Sequence, residues 1–400
     1  MSEVATVAAA IAGSPLVAFD LEFLSADRLI PTLCLMQVSW LPADTRLDAP
    51  ESAIVATVPE VRLLDPLAVD VRPVVEALAA HPLVIAHAPR QDLGLLYTRF
   101  GIALPRIVDT QLMAAFAGIG DQVGLATLAN ELLGLTLAKE QQWTDWGKRP
   151  LSEAQLVYAD ADVRHLPALF AKLRTRLGDR FAWARAESSQ VAADAVAAAS
   201  ITADTAWRQL GGLRSLDAAA LAAAIDLAAW RLRIATELDR PLGQVLNEKV
   251  LIDLARQRPQ TPGAVRAVKG LSPLAKQRAD ELVELIDSAD PAAVKELVSA
   301  GPPLRAPSQR AQRWAEMLLS IVQLVSEQTG VAPRLLATRS DAEDFARTVD
   351  ERGLAAASDH PAIATWRVDV IGQKWVDWLS GKLALVGDTS APMGLALKAV

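Results

Sequence analysis

Residues 16–23 have the sequence LVAFDLEF, and this stretch decides the fold of the first half of the chain. Side chains alternate between the two faces of a β-strand, so the pattern puts Asp20 and Glu22 together on one face. The opposite face is apolar and consists of Val17, Phe19, Leu21 and Phe23. Two acids on one face of a core strand cost free energy unless a cation offsets their charge. A carboxylate pair facing solvent on an edge strand is the alternative interpretation.

The surrounding segments predict a mixed β-sheet with helices on both sides. Alternating or continuous apolar patterns predict further strands at 33–40, 61–65 and 83–87. From about residue 110 onward helical patterns replace the strand patterns. The last helix of this half begins after Ser152, a typical N-cap residue, and is predicted to continue to about residue 175.

Beyond about residue 200 the pattern is entirely helical, with a long amphipathic helix at 217–238. A proline-rich stretch at 290–309 separates two helical blocks, which indicates a linker or domain boundary. We therefore predict an α/β domain at 1–200, all-α domains at 206–290 and 305–385, and a loosely held tail at 386–400.

The composition excludes several classes of protein. The 400 residues carry a net charge of −7 and a mean hydropathy of +0.22, which fits two or three globular domains. The single cysteine, Cys34, lies in an apolar run, which predicts a buried thiol and excludes an internal disulfide. No apolar run approaches the ~20 residues that span a bilayer. The first residues also lack the basic segment of a secretory signal, so we expect a cytoplasmic protein without a membrane partner.

Three further side chains combine with the first acidic pair. Asp92 lies in the first turn of a helix that follows the strand at 83–87, where capping of the helix is the alternative role. Tyr158 and Asp162 are four residues apart, so they lie one turn apart on one side of the helix predicted at 153–175. Two divalent cations about 3.5–4 Å apart need several carboxylates, and Mg²⁺ or Mn²⁺ prefers oxygen ligands. Together these residues predict a site for two divalent metal ions.

The motifs AFDLEF, HAPRQDLGLL and YADAD, in this order, resemble the three exonuclease motifs of the tyrosine-bearing DEDD superfamily. The flanking segments PTLCLMQ, IVDTQLMAA and QQWTDWGKRPLSEAQLVYADADVRHL narrow the resemblance to ribonuclease D. The segment 229–271 resembles an HRDC domain, and ATWRVDVIGQKWVDWLSGK resembles part of a second, more divergent one. Leu21 departs from the family pattern, which usually has threonine there; we expect this side chain to face away from the metals.

The resemblance implies a ribonuclease-H-like fold followed by two HRDC-type domains, and a 3′–5′ exoribonuclease that releases 5′-mononucleotides. By the same resemblance, Asp20 would bridge both metals, and Glu22 and Asp162 would hold the metal that activates water. Asp92 would hold the second metal, and Tyr158 would orient the attacking water. All four carboxylates and the tyrosine are metal-site or catalytic candidates.

The family also implies RNA 3′ ends, such as those of tRNA precursors, as the partner. We expect a monomer, since three domains could close into a ring around a strand. His87, Lys139 and Arg149 are weaker candidates for RNA contacts, with packing or helix anchoring as the alternatives. A DNA-directed 3′–5′ exonuclease and a catalytically silent RNA-binding scaffold are the competing functions. We expect that the helical domains add RNA affinity and that their removal from residue 205 onward spares cleavage of short oligonucleotides.

Overall fold

The sheet that organises the first domain contains five strands among the described residues of the computed structural model, namely 2–137, 141, 144–292, 294 and 307–400. These strands are β1 (Val17–Leu24), β2 (Thr32–Trp40), β3 (Glu60–Leu64), β4 (Val84–Ala86) and β5 (Ile107–Asp109). Their order is β3-β2-β1-β4-β5, with antiparallel pairs on one side of β1 and parallel pairs on the other. The predicted mixed sheet is therefore confirmed, and the acidic strand β1 is its central strand.

Helices cover both faces of this sheet. In chain order they are α1 (Glu3–Gly13), α2 (Glu51–Ala56), α3 (Arg72–Ala80), α4 (Arg90–Phe100), α5 (Thr110–Phe116), α6 (Leu125–Leu133), α7 (Glu153–Arg164), α8 (Leu166–Leu177) and α9 (Phe181–Ala199). The apolar face of β1 packs into one core cluster with α1, α3 and α4. On the other face, Ala18 packs with residues of α5 and α8. Leu21 lies in the first of these clusters, on the face of β1 opposite to the acids, as expected.

The first helical domain has its own apolar core. Its helices are α10 (Ala218–Leu238), α11 (Leu242–Val245), α12 (Glu248–Gln257), α13 (Pro262–Arg266), α14 (Pro273–Gln277) and α15 (Ala279–Ser288). The predicted helix at 217–238 is confirmed, with Asp217 as the N-cap that accepts a hydrogen bond from the backbone N–H of Ala220. The core of this domain contains side chains such as Trp230, Leu251 and Leu282, and Leu29 reaches it from the first domain.

The second helical block packs directly on the first domain. It consists of α16 (Gln309–Thr329), α17 (Pro333–Leu336), α18 (Arg339–Arg352) and α19 (Gln373–Leu379), followed by the strands β6 (Leu383–Gly387) and β7 (Leu395–Ala399). Its buried side chains, among them Phe345 and Trp375, belong to the same core cluster as Phe116 and Phe170 of the first domain. One continuous apolar core therefore joins the two regions.

Two expectations from the sequence are wrong in detail. The predicted helix at 153–175 is broken at His165, because Pro167 in the first turn of α8 cannot donate a backbone hydrogen bond to a continuing helix. The tail at 386–400 is not loosely held: β6 and β7 pair in an antiparallel hairpin that contains most of it. Short alternating patterns near a chain end are weak signals, so sequence analysis underestimated this hairpin.

None of the helices in the described part of the chain combines the length and the apolar composition required to cross a membrane.

Candidate active site

Asp20, Glu22 and Asp162 form a cluster of carboxylates next to the central strand. Each residue offers one oxygen atom, and these three atoms lie within 4.8 Å of one another. Asp20 and Glu22 come from β1, as the alternating pattern predicted, and Asp162 comes from α7, which packs across β1, β2 and β3. Because hard divalent cations bind carboxylate oxygens, this cluster has the donor set and the spacing that a cation requires.

Local sequence fixes the position of α7. Ser152 is its N-cap and forms a reciprocal capping box with Gln155, so two backbone donors at the start of the helix are satisfied. The hydroxyl of Ser39 on β2 donates to the carbonyl of Val163 at 2.8 Å and ties the other end of α7 to the sheet. The helix therefore has anchors on both sides of the turn that carries Asp162.

Asp92 lines the same cavity as the cluster, but its carboxylate is not among the three whose oxygen atoms lie within 4.8 Å of one another. It lies in the first turn of α4, after a tight turn in which Ala88 has a left-handed φ of 54°. The carboxylate of Asp109 holds this turn, since its Oδ1 accepts hydrogen bonds from the backbone N–H groups of Ala88 at 2.9 Å and Gln111 at 2.8 Å. The negative charge of Asp20, which lines the same cavity, contributes to raising the pKa of Asp92.

Burial and mutual repulsion raise the pKa values of these carboxyl groups. Burial raises the pKa of Asp20 to about 7 and that of Asp162 to about 8, where the charge of Asp20 adds to the effect. Burial, together with the charges of the other three acids, raises the pKa of Glu22 to about 9. Burial also raises the pKa of Asp92 well above its usual value. Four acids that resist ionisation at one place are the electrostatic signature of a site built for cations.

Tyr158 lies one helical turn before Asp162, and its ring packs against the buried Trp146 with 6.0 Å between the ring centroids. Burial raises the pKa of the Tyr158 hydroxyl, and the charges of Asp162, Glu22 and Asp20 raise it further. The hydroxyl therefore keeps its proton near neutral pH and is suited to donate or accept a hydrogen bond.

The cavity beside the carboxylates has a volume of about 490 Å³. Besides the five predicted residues it is lined by Phe23, His87, Gln91, Gln111, Leu125, Ala126 and Leu137, among others. Sequence analysis missed Gln91, Gln111 and Asp109. Asp109 ends strand β5, which is only three residues long and gives almost no pattern. The signal available was the IVDTQ segment itself, in which a polar run follows a short apolar one.

The three weaker candidates have different outcomes. His87 lies at the cavity, and its two ring nitrogens contact Thr110 Oγ1 at 2.9 Å and the carbonyl of Val123 at 3.0 Å. Burial lowers the pKa of His87 to about 4, so the ring is neutral near pH 7 and fixes the loop that it touches. Arg149 makes a bidentate ion pair with Asp65, at 2.6 and 2.7 Å. Lys139 lies outside the described residues.

The remaining donors of Arg149 also have partners. They bond to the backbone carbonyls of Cys34, Trp146 and Lys148 at distances of 2.7 to 2.9 Å. A guanidinium with five N–H groups has little left to offer RNA in this arrangement. The contacts favour the alternative of an anchor for the segment that leads into α7. Cys34 itself is buried, as predicted.

Comparisons with known proteins identify similar domains and relatives. A family model described as 3′–5′ exonuclease matches residues 1–178, and a model described as HRDC domain matches residues 220–286. The ribonuclease D of Jannaschia sp. is 32% identical over 392 residues, which cover 96% of this chain and 95% of that protein. The ribonuclease D of Acidiphilium cryptum is 32% identical over 384 residues, or 94% and 90% of the two chains.

The chain belongs to the ribonuclease D family. Its members are 3′–5′ exoribonucleases, and this chain is one of them. The crystal structure of Escherichia coli RNase D superposes with a TM-score of 0.76 at 26% identity, and covers 94% of this chain and 96% of that one. The match thus includes the helical domains and not only the exonuclease domain. The exonuclease fold and its carboxylate cluster together imply dependence on a divalent metal.

Proposed function

We propose that this chain removes 5′-mononucleotides one at a time from the 3′ ends of tRNA precursors and other structured RNAs, with two Mg²⁺ or Mn²⁺ ions. The convergence of Asp20, Glu22 and Asp162 within 4.8 Å, with Asp92 on the same cavity, is the observation that carries the proposal. The E. coli enzyme is described as an exoribonuclease involved in structured RNA processing, which supports the substrate class.

In this proposal each carboxylate has a distinct role. Asp20, which acts electrostatically on the other three acids, would contact both cations, while Glu22 and Asp162 would complete one position and Asp92 the other. When bound, the cations supply positive charge that stabilises the transferring phosphate and lowers the pKa of water. The acids must ionise to bind, so cation binding releases protons.

Tyr158 would orient the attacking water instead of removing its proton. The raised pKa of its hydroxyl supports this role, because a group that holds its proton near pH 7 is a poor base. Tyr158→Phe removes the hydroxyl and keeps the ring against Trp146. We expect turnover to fall on the order of 10²-fold, with RNA affinity little changed. Single-turnover rates and a binding titration measure the two quantities, and an unchanged rate would remove Tyr158 from the mechanism.

The second helical block is proposed to be an HRDC-like domain because it repeats the opening of the first. Both begin with a 21-residue helix, α10 or α16, followed by a four-residue helix, α11 or α17. In both, the third helix then starts at a side-chain N-cap, Asn247 or Thr338. A monomeric state, a cytoplasmic location, and RNA contacts by His87 and Lys139 remain predictions.

Incubation of a 3′-labelled tRNA precursor and a matched single-stranded DNA, each with Mg²⁺ or with a chelator, tests the proposal. We expect labelled mononucleotide from the RNA only, and only when the metal is present. Asp20→Asn should abolish release, because it removes the carboxylate shared by both cation positions. Cleavage of the DNA in preference to RNA would favour the DNA-directed alternative, and release in the presence of the chelator would refute the metal site.

A further inference from the structure

Gln37 has a buried amide group that its surroundings leave unsatisfied. It lies in the middle of β2 and its side chain is fully buried. Neither its amide nitrogen nor its amide oxygen has a hydrogen-bond partner among the described residues. An unpaired polar group that is hidden from water destabilises a fold, so a role in packing alone would favour leucine or methionine at this position.

The register of the sheet places Gln37 beside the carboxylate cluster. Gln37 is the direct partner of Asp20 in the antiparallel pair of β1 and β2. Directly opposed residues in such a pair project from the same face of the sheet, with their Cβ atoms about 4.5–5.5 Å apart. The side chain of Gln37 therefore points to the face of the sheet from which Asp20 and Glu22 project.

The neighbours of Gln37 on β2 show which helix covers it. Leu35 and Ser39, two residues before and after it, share its face. Leu35 belongs to one apolar cluster with Ala159 of α7, and Ser39 donates a hydrogen bond to the carbonyl of Val163 of α7. The amide of Gln37 consequently lies beneath the turn of α7 between these two contacts, which is the turn that carries Asp162.

We propose that Gln37 is a positioning residue for the cation site. Its amide N–H donates to a carboxylate oxygen of Asp20 or Asp162 in the cation-loaded site. This inference rests on the proposed function, since it assigns the partner of Gln37 to the cation-loaded form. Hydrogen bonds from outside the ligand set orient ligating carboxylates and change metal affinity by about 10–100-fold. An otherwise costly buried amide thereby gains a partner.

Gln37→Leu in the full-length chain separates this role from packing. Without metal the variant should melt at the same temperature as the wild type or higher, because it removes an unpaired buried amide. With Mg²⁺, its melting temperature should rise less, and the apparent dissociation constant for Mg²⁺ should increase about tenfold. Stability and metal affinity thus change in opposite directions, which a purely structural residue would not produce.

Val38→Ala is the matched control on the same strand, next to Gln37. Val38 is buried in the apolar core on the opposite face of β2, so the melting temperature should fall equally with and without Mg²⁺, and the dissociation constant should not change. Gln37→Met, which keeps the length of the side chain, repeats the test if the leucine variant does not fold. If Gln37→Leu or Gln37→Met binds Mg²⁺ with the dissociation constant of the wild type, the inference about Gln37 is overturned and the proposed function is not affected. A wild-type protein without any Mg²⁺-dependent shift overturns the proposed function as well.

Discussion

The two helical domains begin with helices of similar length in the same order, yet they are attached to the exonuclease domain in different ways. The first has a separate core and touches the loop after β1 through Leu29, Arg28 and Ala26. The second shares its core with the exonuclease domain. The difference indicates that the first helical domain is an appendage. The second helical block forms one structural unit with the exonuclease domain, which we call the catalytic unit.

The contacts of the second helical block explain this attachment. Trp366 stacks on Trp183 of α9 with 5.1 Å between ring centroids. Arg367 makes a bidentate, largely buried ion pair with Glu187 at 2.7 and 2.9 Å. Ser188, next to Glu187 on α9, accepts a hydrogen bond from the backbone N–H of Asp109, the residue that holds the turn before Asp92. Support for α9 is therefore also support for one wall of the active site.

By contrast, apart from the half-buried Leu29, the contacts of the first helical domain with the loop after β1 are polar and exposed. Asp239 pairs with Arg28 at 3.7 Å and accepts a hydrogen bond from the backbone N–H of Leu29. Gln244 donates to the carbonyl of Ala26 at 3.0 Å. Exposed pairs of this kind contribute little stability, so we expect the first helical domain to be held only weakly on the loop that follows β1.

The largest effect is expected from a chain that ends at residue 290. It lacks the second helical block, and so Phe116 and Trp183 lose the apolar side chains that cover them. We expect the exonuclease domain to lose its cooperative thermal transition and its activity, contrary to the expectation that removal from residue 205 onward spares cleavage. Residues 206–290 alone should still unfold cooperatively, because their core is separate. Full activity of the shortened chain would show that the shared core is dispensable.

Point substitutions compare the two attachments directly. Trp366→Ala removes a ring that stacks on Trp183 and donates to Glu187, and we expect a loss of about 3–5 kcal/mol in the free energy of unfolding. Leu29→Ala removes a half-buried contact with the first helical domain, at a cost of about 1 kcal/mol. Denaturant titration measures both. Equal costs would mean that the two domains are attached with similar strength.

Metal binding should stabilise the catalytic unit and leave the first helical domain unaffected. The folded-state pKa values of Asp20, Asp162 and Glu22 are raised to about 7, 8 and 9. As pH rises, the unfolded chain therefore loses these protons at a lower pH than the folded chain does. Their contribution to stability in the metal-free protein is full below about pH 4 and is lost as pH rises to about 9.

Because cations need the ionised carboxylates, the shift that Mg²⁺ produces in thermal unfolding should be larger at pH 9 than at pH 6. At a hundredfold excess over the dissociation constant the gain is about 2.7 kcal/mol. Calorimetry should assign this gain to the transition of the catalytic unit alone. A pH-independent shift, or a shift in the transition of the first helical domain, would contradict the assignment of the acids.

The smallest effect is expected for Asp239→Ala, which removes the two contacts that Asp239 itself makes with the loop after β1. The cost should be about 0.5–1 kcal/mol, confined to the first helical domain and reduced by salt. Thermal unfolding at low and high ionic strength measures it. A cost as large as that of Trp366→Ala would show that this loop is a firm attachment.

Sequence analysis predicted the elements whose pattern is long or chemically costly. The alternation in 16–23 predicted both faces of β1, and the spacing of Tyr158 and Asp162 predicted their common side of α7. It could not predict β5, three residues long, or the shared core, because nothing local in Trp366 or Trp183 reveals which distant surface covers it. Leu156 illustrates the same limit: it is an apolar residue on α7, yet its relative exposure is 41%.

The position of cations in the cavity tests the central claim most directly. Crystals soaked in Mn²⁺ and measured at the manganese absorption edge should show two anomalous peaks, one beside Asp20, Glu22 and Asp162 and one between Asp20 and Asp92. The same crystals of Asp20→Asn should show neither at full occupancy. Two strong peaks elsewhere in the molecule, with none within bonding distance of Asp20, would contradict the account.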